Sequence, residues 1–385
     1  MIELSELHRE VRESFRRFAD HEIAPGATAR DQTGAFPYDL VPELAKIGAF
    51  RMVFPESEGG DGADTLSFVL ALEEIARADQ SAAALVANQV GLSALPIVTF
   101  GTPEQKERWL PGLLSGEILG SFGLTEPDAG SDTSSVSTRA RRDGDGWVLS
   151  GSKMFITNAG TDLTAFVIVA AVTGQRPDGR NTVGTFIVET STPGFSVGPA
   201  LKKMGWRASD TRQVFLEECR VPGSAVLGDP NRGLGQFLRT LDFGRIQIAT
   251  LGVGLVQAAL DAAVAYAGER HAFGRPIGEF QGVSFKLADM EVDAHAARLL
   301  TLNSARLRDA GLPFAHEAAI AKLYASEAAM RAAHRCVQIH GGAGFMDDSL
   351  PARLFRDAKI LEIGEGTSEI QRVVISRRLA AGDAA

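Results

Sequence analysis

The chain has 385 residues, of which 45% are hydrophobic and 23% are charged, and its formal net charge is -9. This balance is typical of a globular protein with a sizeable core, and an acidic chain without a pronounced basic run argues against nucleic acid as a partner. The two cysteines, Cys219 and Cys336, are too few for a disulfide framework and favour a reducing, cytoplasmic location.

Helical patterns dominate residues 1–117, which we predict to form an N-terminal helical domain. Apolar residues recur at helical spacing across 4–18, and because this stretch is amphipathic and acid-rich it is not expected to be a signal peptide. Thr102, Pro103 and Gln105 form a capping box with a first-turn proline, a pattern that predicts the start of a further helix.

Strand patterns replace the helical ones in residues 118–230. "VSTRARR" and "WVLSG" flank the turn "DGDG" and predict a hairpin. "TAFVIVAAV", "VGTFIVE" and "RQVFLEE" are further strand candidates, separated by turn residues. Because no helical segment comes between them, we predict a small antiparallel β domain rather than a parallel α/β sheet.

Three long alanine-rich helical segments fill residues 231–385 and predict a C-terminal helical bundle. The least polar stretch, 245–261, contains Gln247 and Gln257. A transmembrane helix needs about 20 apolar residues, so we expect no membrane span. The histidines form no H-x-x-x-H pair and the cysteines no C-x-x-C pair, so we expect no metal site.

One acid, Glu365, lies between two glycines in "IGEGTSEIQR". Ser368 and Gln371 form a capping-box pattern that predicts a helix starting just after Glu365, and the glycines allow a bend before it. The acid would then project from the bend into a cleft. Local sequence alone leaves open the alternative that Glu365 is a loop acid that favours a helix N-terminus.

Four blocks of sequence together resemble the acyl-CoA dehydrogenase family of flavoproteins. They are "FGLTEPDAGSD", "RHAFGRPIGEFQ", "QIHGGAGF" and "IGEGTSEIQR", supported by "KMFITN" and "KKMGWRASDTR". The resemblance extends over nearly the whole chain. Within the family, the sequence is most similar to the short-chain and short/branched-chain enzymes. It implies an α+β fold with an N-terminal helical domain, a central antiparallel β-barrel-like domain and a C-terminal four-helix bundle.

The resemblance also implies a reaction. Glu365 matches the family's catalytic base, which takes the α-proton of an acyl-CoA while FAD takes the β-hydride, and the product is a trans-2-enoyl thioester. The backbone N–H of Glu365 would bind the thioester carbonyl. Electrons would pass to an electron-transferring flavoprotein, in fatty acid metabolism or branched-chain amino acid catabolism, and the enzyme would be a homotetramer built as a dimer of dimers.

Further site residues follow from the resemblance by matched position. Substrate contacts are implied for Ser131, Asp242, Arg245 and Gly366, although Arg245 is equally well interpreted locally as a helix-end cation. The FAD of the same subunit would be contacted by Phe122, Leu124, Thr125, Gly130, Ser131, Phe155, Ile156, Thr157. The matches for the FAD of a neighbouring subunit, or for its phosphates and ribose, are Arg270, Phe273, Gln281, Gln338, Ile339, His340, Gly341, Gly342, Thr367, Ser368, Glu369.

Three positions depart from patterns common among relatives. Phe155 stands where many have Trp, which is a mild departure. Gly364 stands where many have Tyr, and because the missing phenol enlarges the pocket near the thioester, we expect it to accept α-branched or otherwise bulkier acyl groups. Gly244 matches the position from which the isovaleryl and long-chain types supply their base, which leaves Glu365 as the candidate. The stretch 87–98 is expected to set the pocket floor.

Other functions remain open from the sequence. An acyl-CoA oxidase would share the fold, although oxidases of the family usually carry an extra C-terminal region. A dehydrogenase of acyl-carrier-protein thioesters would differ only in the carrier. A non-catalytic acyl-CoA-binding protein would lack flavin absorbance.

Overall fold

Helices form the first part of the molecule, as predicted. The structure is a computed structural model that describes residues 3–380. The predicted capping box is confirmed, because the Thr102 side chain accepts from the Gln105 N–H and the Gln105 side chain accepts from the Thr102 N–H. Two π-helical segments, Ala19–Ile23 and Asn88–Ala94, interrupt the α-helices. The helices are α1 (Glu6–Phe18), α2 (Ala27–Thr33), α3 (Leu40–Lys46), α4 (Thr65–Ala78), α5 (Gln80–Ala87), α6 (Leu95–Phe100) and α7 (Pro103–Ser115).

A curled sheet follows, and the predicted hairpin is present as an antiparallel pair in which Asp143 faces Gly146. The strand order is β1-β4-β2-β3-β7-β6, and β5 pairs with β4. The strands are β1 (Leu119–Gly123), β2 (Arg139–Asp143), β3 (Gly146–Thr157), β4 (Thr164–Gln175), β5 (Asn181–Glu189), β6 (Phe195–Val197) and β7 (Thr211–Val221).

The sheet is mixed rather than purely antiparallel. β1 runs parallel to β4, with Gly120 opposite Phe166, and β2 meets β4 in one parallel bridge. The sequence analysis missed β1 because "LGSFG" is short, and two glycines dilute its strand signal. The parallel pairing matters for the site, because it places the residues that follow β1 at the edge of β3.

Long helices form the last part of the molecule. The three predicted long segments are helices of 37, 29 and 26 residues, and α10 packs against the others. A short hairpin, β8 (His271–Ala272) and β9 (Arg275–Pro276), joins the first two helices. The helices are α8 (Gly233–Glu269), α9 (Gln281–Asp309), α10 (Ala315–His340), α11 (Leu350–Leu361) and α12 (Ser368–Ala380).

Strand β4 shows how the three parts are joined. Its residues alternate between two cores: Phe166 and Ile168 pack with the helices, whereas Val167 and Val169 pack inside the curled sheet. A strand buried on both faces reads as a continuous apolar run, which explains "AFVIVAAV". Helices, sheet and helices are thus held in one arrangement around a shared interior.

Two helical stretches, Gln80–Phe100 and Gly233–Glu269, are long and apolar enough to cross a membrane by length and composition alone. In each, 72% of the apolar window is buried inside the protein. Their apolar character is therefore accounted for by packing in the protein core.

Candidate active site

The joint between α11 and α12 carries Glu365 at a sharp bend. Glu365 has φ 54° and Gly366 has φ 93°, so two successive residues are left-handed. This conformation is uncommon for any residue other than glycine and costs free energy. The carboxylate consequently projects from a turn, not from the face of a helix, and the bend predicted from the sequence is present.

Side chains from two helices hold this bend. The Lys322 ammonium on α10 donates to the Gly366 carbonyl at 2.7 Å. The Gln371 amide on α12 donates to the same carbonyl at 2.9 Å and to the Glu365 carbonyl at 3.4 Å. These bonds offset the cost of the left-handed Glu365, because they satisfy carbonyl groups that the turn removes from any helix ladder.

The prediction that Ser368 and Gln371 form a capping box at the start of α12 is wrong. Thr367, not Ser368, caps the helix, since its hydroxyl accepts from the Ile370 N–H at 3.3 Å. Gln371 faces the carbonyls of the bend and so does not reach back to a cap N–H. The left-handed turn displaces the cap by one residue, and the Ser368 hydroxyl is buried without a partner.

Gly244 on α8 faces the carboxylate of Glu365. A Cβ atom at position 244 would lie 1.8 Å from Glu365 Oε2, far inside any permitted contact. Glycine at this position therefore makes room for the acid. Although Glu365 is partly exposed as a residue, its Oε2 atom is enclosed and has no hydrogen-bond partner.

The electrostatics of the bend raise the pKa of Glu365 well above that of an ordinary glutamate. Burial raises the pKa of Glu365 to about 7, although the charges of Lys322 and Arg245 act in the opposite direction. Burial likewise lowers the pKa of Lys322 to about 8, and the nearby Glu365 charge opposes that fall. A carboxylate with a pKa near working pH is the form that general-base catalysis favours.

Asp242 and Arg245 lie three residues apart on α8, about one helical turn, and form an ion pair. Arg245 is the thirteenth residue of a 37-residue helix and is buried. The interpretation of Arg245 as a helix-end cation is therefore wrong. Burial raises the pKa of Asp242 above its usual value despite the neighbouring Arg245 charge, so the pair lies in a poorly solvated place beside Glu365.

The loop after β1 and the end of β3 lie side by side. The Met154 N–H donates to the Thr125 carbonyl at 2.8 Å, so the predicted flavin segments 122–131 and 155–157 share one edge. Phe155 has φ 62° at a bulge in β3, and its ring is 62% exposed. Ile156 is instead buried in the sheet core, and Leu124 is buried in the core shared with the helices.

A buried ion pair fixes this loop to the sheet. Lys153 Nζ lies 2.7 Å from Glu126 Oε1, and both side chains are buried. Glu126 also accepts from the Ser137 N–H and hydroxyl and from the Thr138 N–H. Burial tends to raise the pKa of Glu126, but the Lys153 charge and these bonds outweigh it and bring the pKa to about 2.

The predicted contacts Thr367, Ser368 and Glu369 lie at the start of α12, directly after the bend, whereas the other remaining flavin contacts lie at the far end of α8. Arg270 is 26 residues beyond Gly244 on one continuous helix, a separation of about 39 Å at 1.5 Å per residue. His340 stacks on Tyr266 with ring centroids 4.3 Å apart, which brings the 338–342 segment to the same end. Phe273 is 96% exposed there. Within one chain, the residues at this far end and Glu365 cannot surround the same reacting atoms.

Two buried polar residues on the helices that pack beside Glu365 were not among the predicted site residues. Lys322 is a lone, fully buried lysine in the alanine-rich face of α10, and Gln247 is a fully buried amide on α8. Each interrupts an apolar helix face, which is the signal that could have drawn attention to them. Among residues 3–380, no group of three or more His, Cys, Asp or Glu side chains could hold a metal ion.

The helix–sheet–helix order, with an enclosed acid at a bend between two helices, defines a fold class with one candidate catalytic carboxylate. Comparison with known proteins identifies the class more closely. Family models described as the acyl-CoA dehydrogenase N-terminal, middle and C-terminal domains match residues 5–117, 121–219 and 231–380. The chain therefore belongs to the acyl-CoA dehydrogenase family, whose members are FAD-dependent oxidoreductases.

Individual relatives cover almost the whole chain. A probable acyl-CoA dehydrogenase of Bacillus subtilis, YngJ, is 50% identical over 98% of this chain and 99% of its own length. The mitochondrial short-chain specific acyl-CoA dehydrogenase of Rattus norvegicus is 42% identical over 98% of this chain and 91% of its own length. The solved butyryl-CoA dehydrogenase of Megasphaera elsdenii superposes with a TM-score of 0.95 at 40% identity, covering 99% of this chain and 100% of its own.

Proposed function

We propose that this protein is an acyl-CoA dehydrogenase for short or short-branched acyl-CoA substrates, with Glu365 as its base. The observation that carries the proposal is the enclosed, unpartnered Oε2 atom of Glu365, with a pKa of about 7. A buried acid without hydrogen-bond donors is costly for stability. That cost is understandable if the atom must be free to accept a proton from a substrate carbon.

The residues at the edge formed by the loop after β1 and the end of β3 fit a flavin. An exposed aromatic ring, Phe155, stands next to the backbone of Thr125 along one edge of the sheet, and an exposed aromatic face suits stacking on a planar ring system. When bound, FAD supplies the acceptor for the β-hydride and its electron pair. We assign to this edge the flavin contacts of 122–131 and 155–157.

In the proposed reaction, Glu365 Oε2 takes the proton from the α-carbon of the acyl group. The Glu365 N–H donates to the thioester carbonyl and so stabilises the negative charge that develops on its oxygen. A preorganised donor of this kind is worth about 3–4 kcal/mol. Arg245, paired with Asp242, lies close enough to influence the charge of Glu365 and would favour the ionised base before the proton is transferred.

We also propose a homotetramer, in which Arg270, Phe273 and Gln281 complete the flavin site of another subunit. The separation of about 39 Å along α8 supports this arrangement, because one chain cannot bring both groups to one ring. Phe285, Val292 and Leu299 are exposed at seven-residue intervals on α9 and give that helix an apolar stripe suited to a partner. Light scattering after gel filtration tests the assembly, and a monomer that retains flavin would contradict it.

The short-branched preference rests on Gly364. A Cβ atom at position 364 would make only ordinary contacts, with the Ile360 carbonyl oxygen at 3.4 Å and Ile360 Cγ1 at 3.9 Å, so this position admits a larger side chain, whose volume glycine leaves free. We expect isobutyryl- or 2-methylbutyryl-CoA to be turned over at least as well as butyryl-CoA. Gly364→Tyr should lower the branched-to-linear ratio of kcat/KM, and a strictly linear preference of the unaltered protein would contradict the proposal.

Anaerobic titration of the purified yellow protein with a panel of acyl-CoA thioesters tests the function directly. Bleaching of the flavin absorbance by short chains is expected, followed by reoxidation with an electron-transferring flavoprotein and slow reoxidation in air. Fast reoxidation in air would favour an acyl-CoA oxidase. Bleaching only by acyl-carrier-protein thioesters would favour a biosynthetic role, and protein without flavin absorbance would favour a non-catalytic binder.

A further inference from the structure

Gln247 is a fully buried glutamine whose amide has no partner. Its relative exposure is 0%, and neither Oε1 nor Nε2 forms a hydrogen bond. A buried polar group left unpaired costs about 1–3 kcal/mol. Since buried amides are nearly always paired with protein, water or ligand, this one calls for a partner that enters the site.

Other buried glutamines nearby are in a different state. The Gln89 amide donates to the Leu113 and Ile118 carbonyls at 2.8 and 2.9 Å. The Gln80 amide donates to the Ala76 and Leu251 carbonyls at 2.8 and 3.0 Å. The amide nitrogen of each of these glutamines is therefore bonded, although Gln80 Oε1 is unpaired, whereas neither polar atom of Gln247 has a partner.

Gln247 lies close to Gly244, the residue that faces Glu365, and against the segment 87–98 that the sequence analysis expects to form the pocket floor. It follows Gly244 by three residues on α8 and therefore lies on the same helix face, about 4.5 Å further along the axis. Its Oε1 atom lies against Gly91, where a Cβ atom would approach it to 1.9 Å. Gly91 belongs to the π-helical segment Asn88–Ala94, and such segments are frequent at functional sites.

We propose that Gln247 forms a polar end of the acyl pocket and selects acyl groups that carry an uncharged oxygen, such as a hydroxyl, a few carbons beyond the reacting bond. A hydroxyl donates to Oε1 or accepts from Nε2, whereas an alkyl end leaves both unpaired. The amide is neutral, so a charged acyl end would be buried without compensation. This inference rests on the proposed function and defines its substrate class.

The experiment compares pairs of thioesters with equal numbers of non-hydrogen atoms. One pair is 4-hydroxybutyryl-CoA and pentanoyl-CoA, and the other is 5-hydroxypentanoyl-CoA and hexanoyl-CoA. For each pair, the hydroxy-to-alkyl ratio of kcat/KM is measured in the unaltered protein and in Gln247→Met, whose side chain has the same length without the amide. Because one hydrogen bond is worth about 0.5–1.5 kcal/mol, we expect the ratio to fall about three- to tenfold in at least one pair.

Binding affinity is a second measure of the preference for a hydroxyl over an alkyl end. Calorimetry with the corresponding 2-enoyl-CoA products should show the same loss of preference for the hydroxyl in Gln247→Met. Gln247→Leu repeats the measurement in case the methionine variant folds poorly. Gln257→Leu is the matched control on the same helix, because its amide already donates to Asp261 and accepts from Arg298, and its ratios should equal those of the unaltered protein.

An amide that merely holds a water molecule would leave both ratios unchanged in both variants, and that result would overturn the assignment. A failure of the proposed function is distinguishable, because then no acyl-CoA, including butyryl-CoA, would bleach the flavin. That outcome would remove the assignment of Gln247 together with the function on which it rests.

Discussion

Glu126 in the loop after β1 and Glu365 at the helix joint are both shielded carboxylates, but their surroundings give them opposite acid–base properties. Glu126 accepts from Lys153, from Ser137 and from the Thr138 N–H, and its pKa is about 2. The enclosed oxygen of Glu365 accepts nothing, and its pKa is about 7. The difference lies in what the neighbouring backbone and side chains donate, not in the acid itself.

The comparison shows which acid stabilises the fold and which is available for reaction. A fully bonded carboxylate fixes a loop and remains ionised at every physiological pH. A carboxylate without donors weakens the fold and can exchange a proton near neutrality. Substitutions at the two positions should therefore affect different measurable quantities.

The largest effect is expected on the rate of flavin reduction in Glu365→Gln. The amide cannot accept the α-proton, and loss of a positioned base costs about 10²–10⁴-fold. Flavin content and melting temperature should stay close to those of the unaltered protein, because Oε2 has no bond to lose. Stopped-flow bleaching with butyryl-CoA measures the rate, and Glu362→Gln, three residues earlier, is the control. A variant that bleaches within tenfold of the unaltered rate would show that the base lies elsewhere.

The next effect is on stability rather than chemistry, in Lys153→Met. Removing one partner of a buried ion pair leaves the other charge uncompensated and costs about 3–5 kcal/mol. Denaturant unfolding should show this loss. The matched control is Lys359→Met, which breaks the solvent-exposed pair with Glu362 and should cost less than about 1 kcal/mol. Equal losses in the two variants would mean that the pair in the sheet contributes no more than a surface pair.

The sequence predicted the architecture well, because long periodic helices and the hairpin around "DGDG" depend on local patterns. It also predicted the bend at Glu365, because two glycines and a following helix signal lie within ten residues. It missed β1 and its parallel pairing, since strand direction depends on contacts with distant residues such as Phe166.

The partners of the candidate base could not be predicted from sequence for the same reason. Lys322 is 43 residues from Glu365, and Gly244 is 121 residues away. Their proximity arises only when α8, α10 and the joint pack together. The cap at Thr367 was mistaken for Ser368 because the left-handed turn, which shifts the helix start, is a product of that packing.

A smaller effect on rate should follow from closing the space beside the base. In Gly244→Ala the added Cβ atom would lie 1.8 Å from Glu365 Oε2, so the carboxylate must move. Displacing a reacting group by about 1 Å can cost about a hundredfold in rate, and we expect a loss of this order or less in kcat/KM. Gly235→Ala, on the same helix with no atom within 4 Å of its added Cβ, should have no effect.

The same contact suggests a way to relocate the base. The double variant Gly244→Glu, Glu365→Gly places a carboxylate on α8 close to the position that Oε2 occupies now. It should bleach with butyryl-CoA measurably faster than Glu365→Gly alone. No gain over the single variant would mean that the position of the carboxylate is not what the bend provides.

The smallest effect is expected for Lys322→Met. This variant distinguishes the effect of the lysine charge on Glu365 from that of its hydrogen bond to the Gly366 carbonyl. Burial raises the pKa of Glu365 to about 7 and the Lys322 charge holds it from rising further. Removing that charge should raise it, so the acid limb of the kcat/KM profile moves to higher pH. If the pKa of Glu365 rises by one unit, kcat/KM at a pH below that pKa should fall about tenfold. At a pH above the pKa, kcat/KM should return to the value of the unaltered protein.

Loss of the bond from Lys322 to the Gly366 carbonyl would by itself lower the rate by the same factor at every pH. The profile between about pH 6 and pH 8 therefore distinguishes the two roles, since Lys322, with a pKa of about 8, carries its charge over most of that range. The pH dependence of the free energy of unfolding is an independent test of the same charge effect. The unfolded carboxyl loses its proton near pH 4.5 and the folded one near 7, so Glu365 lowers the free energy of unfolding as pH rises through that window. In Lys322→Met, the pH range over which the free energy of unfolding falls should extend to higher pH. A shift to lower pH, either of this range or of the acid side of the kcat/KM profile, would contradict the assigned role of the lysine.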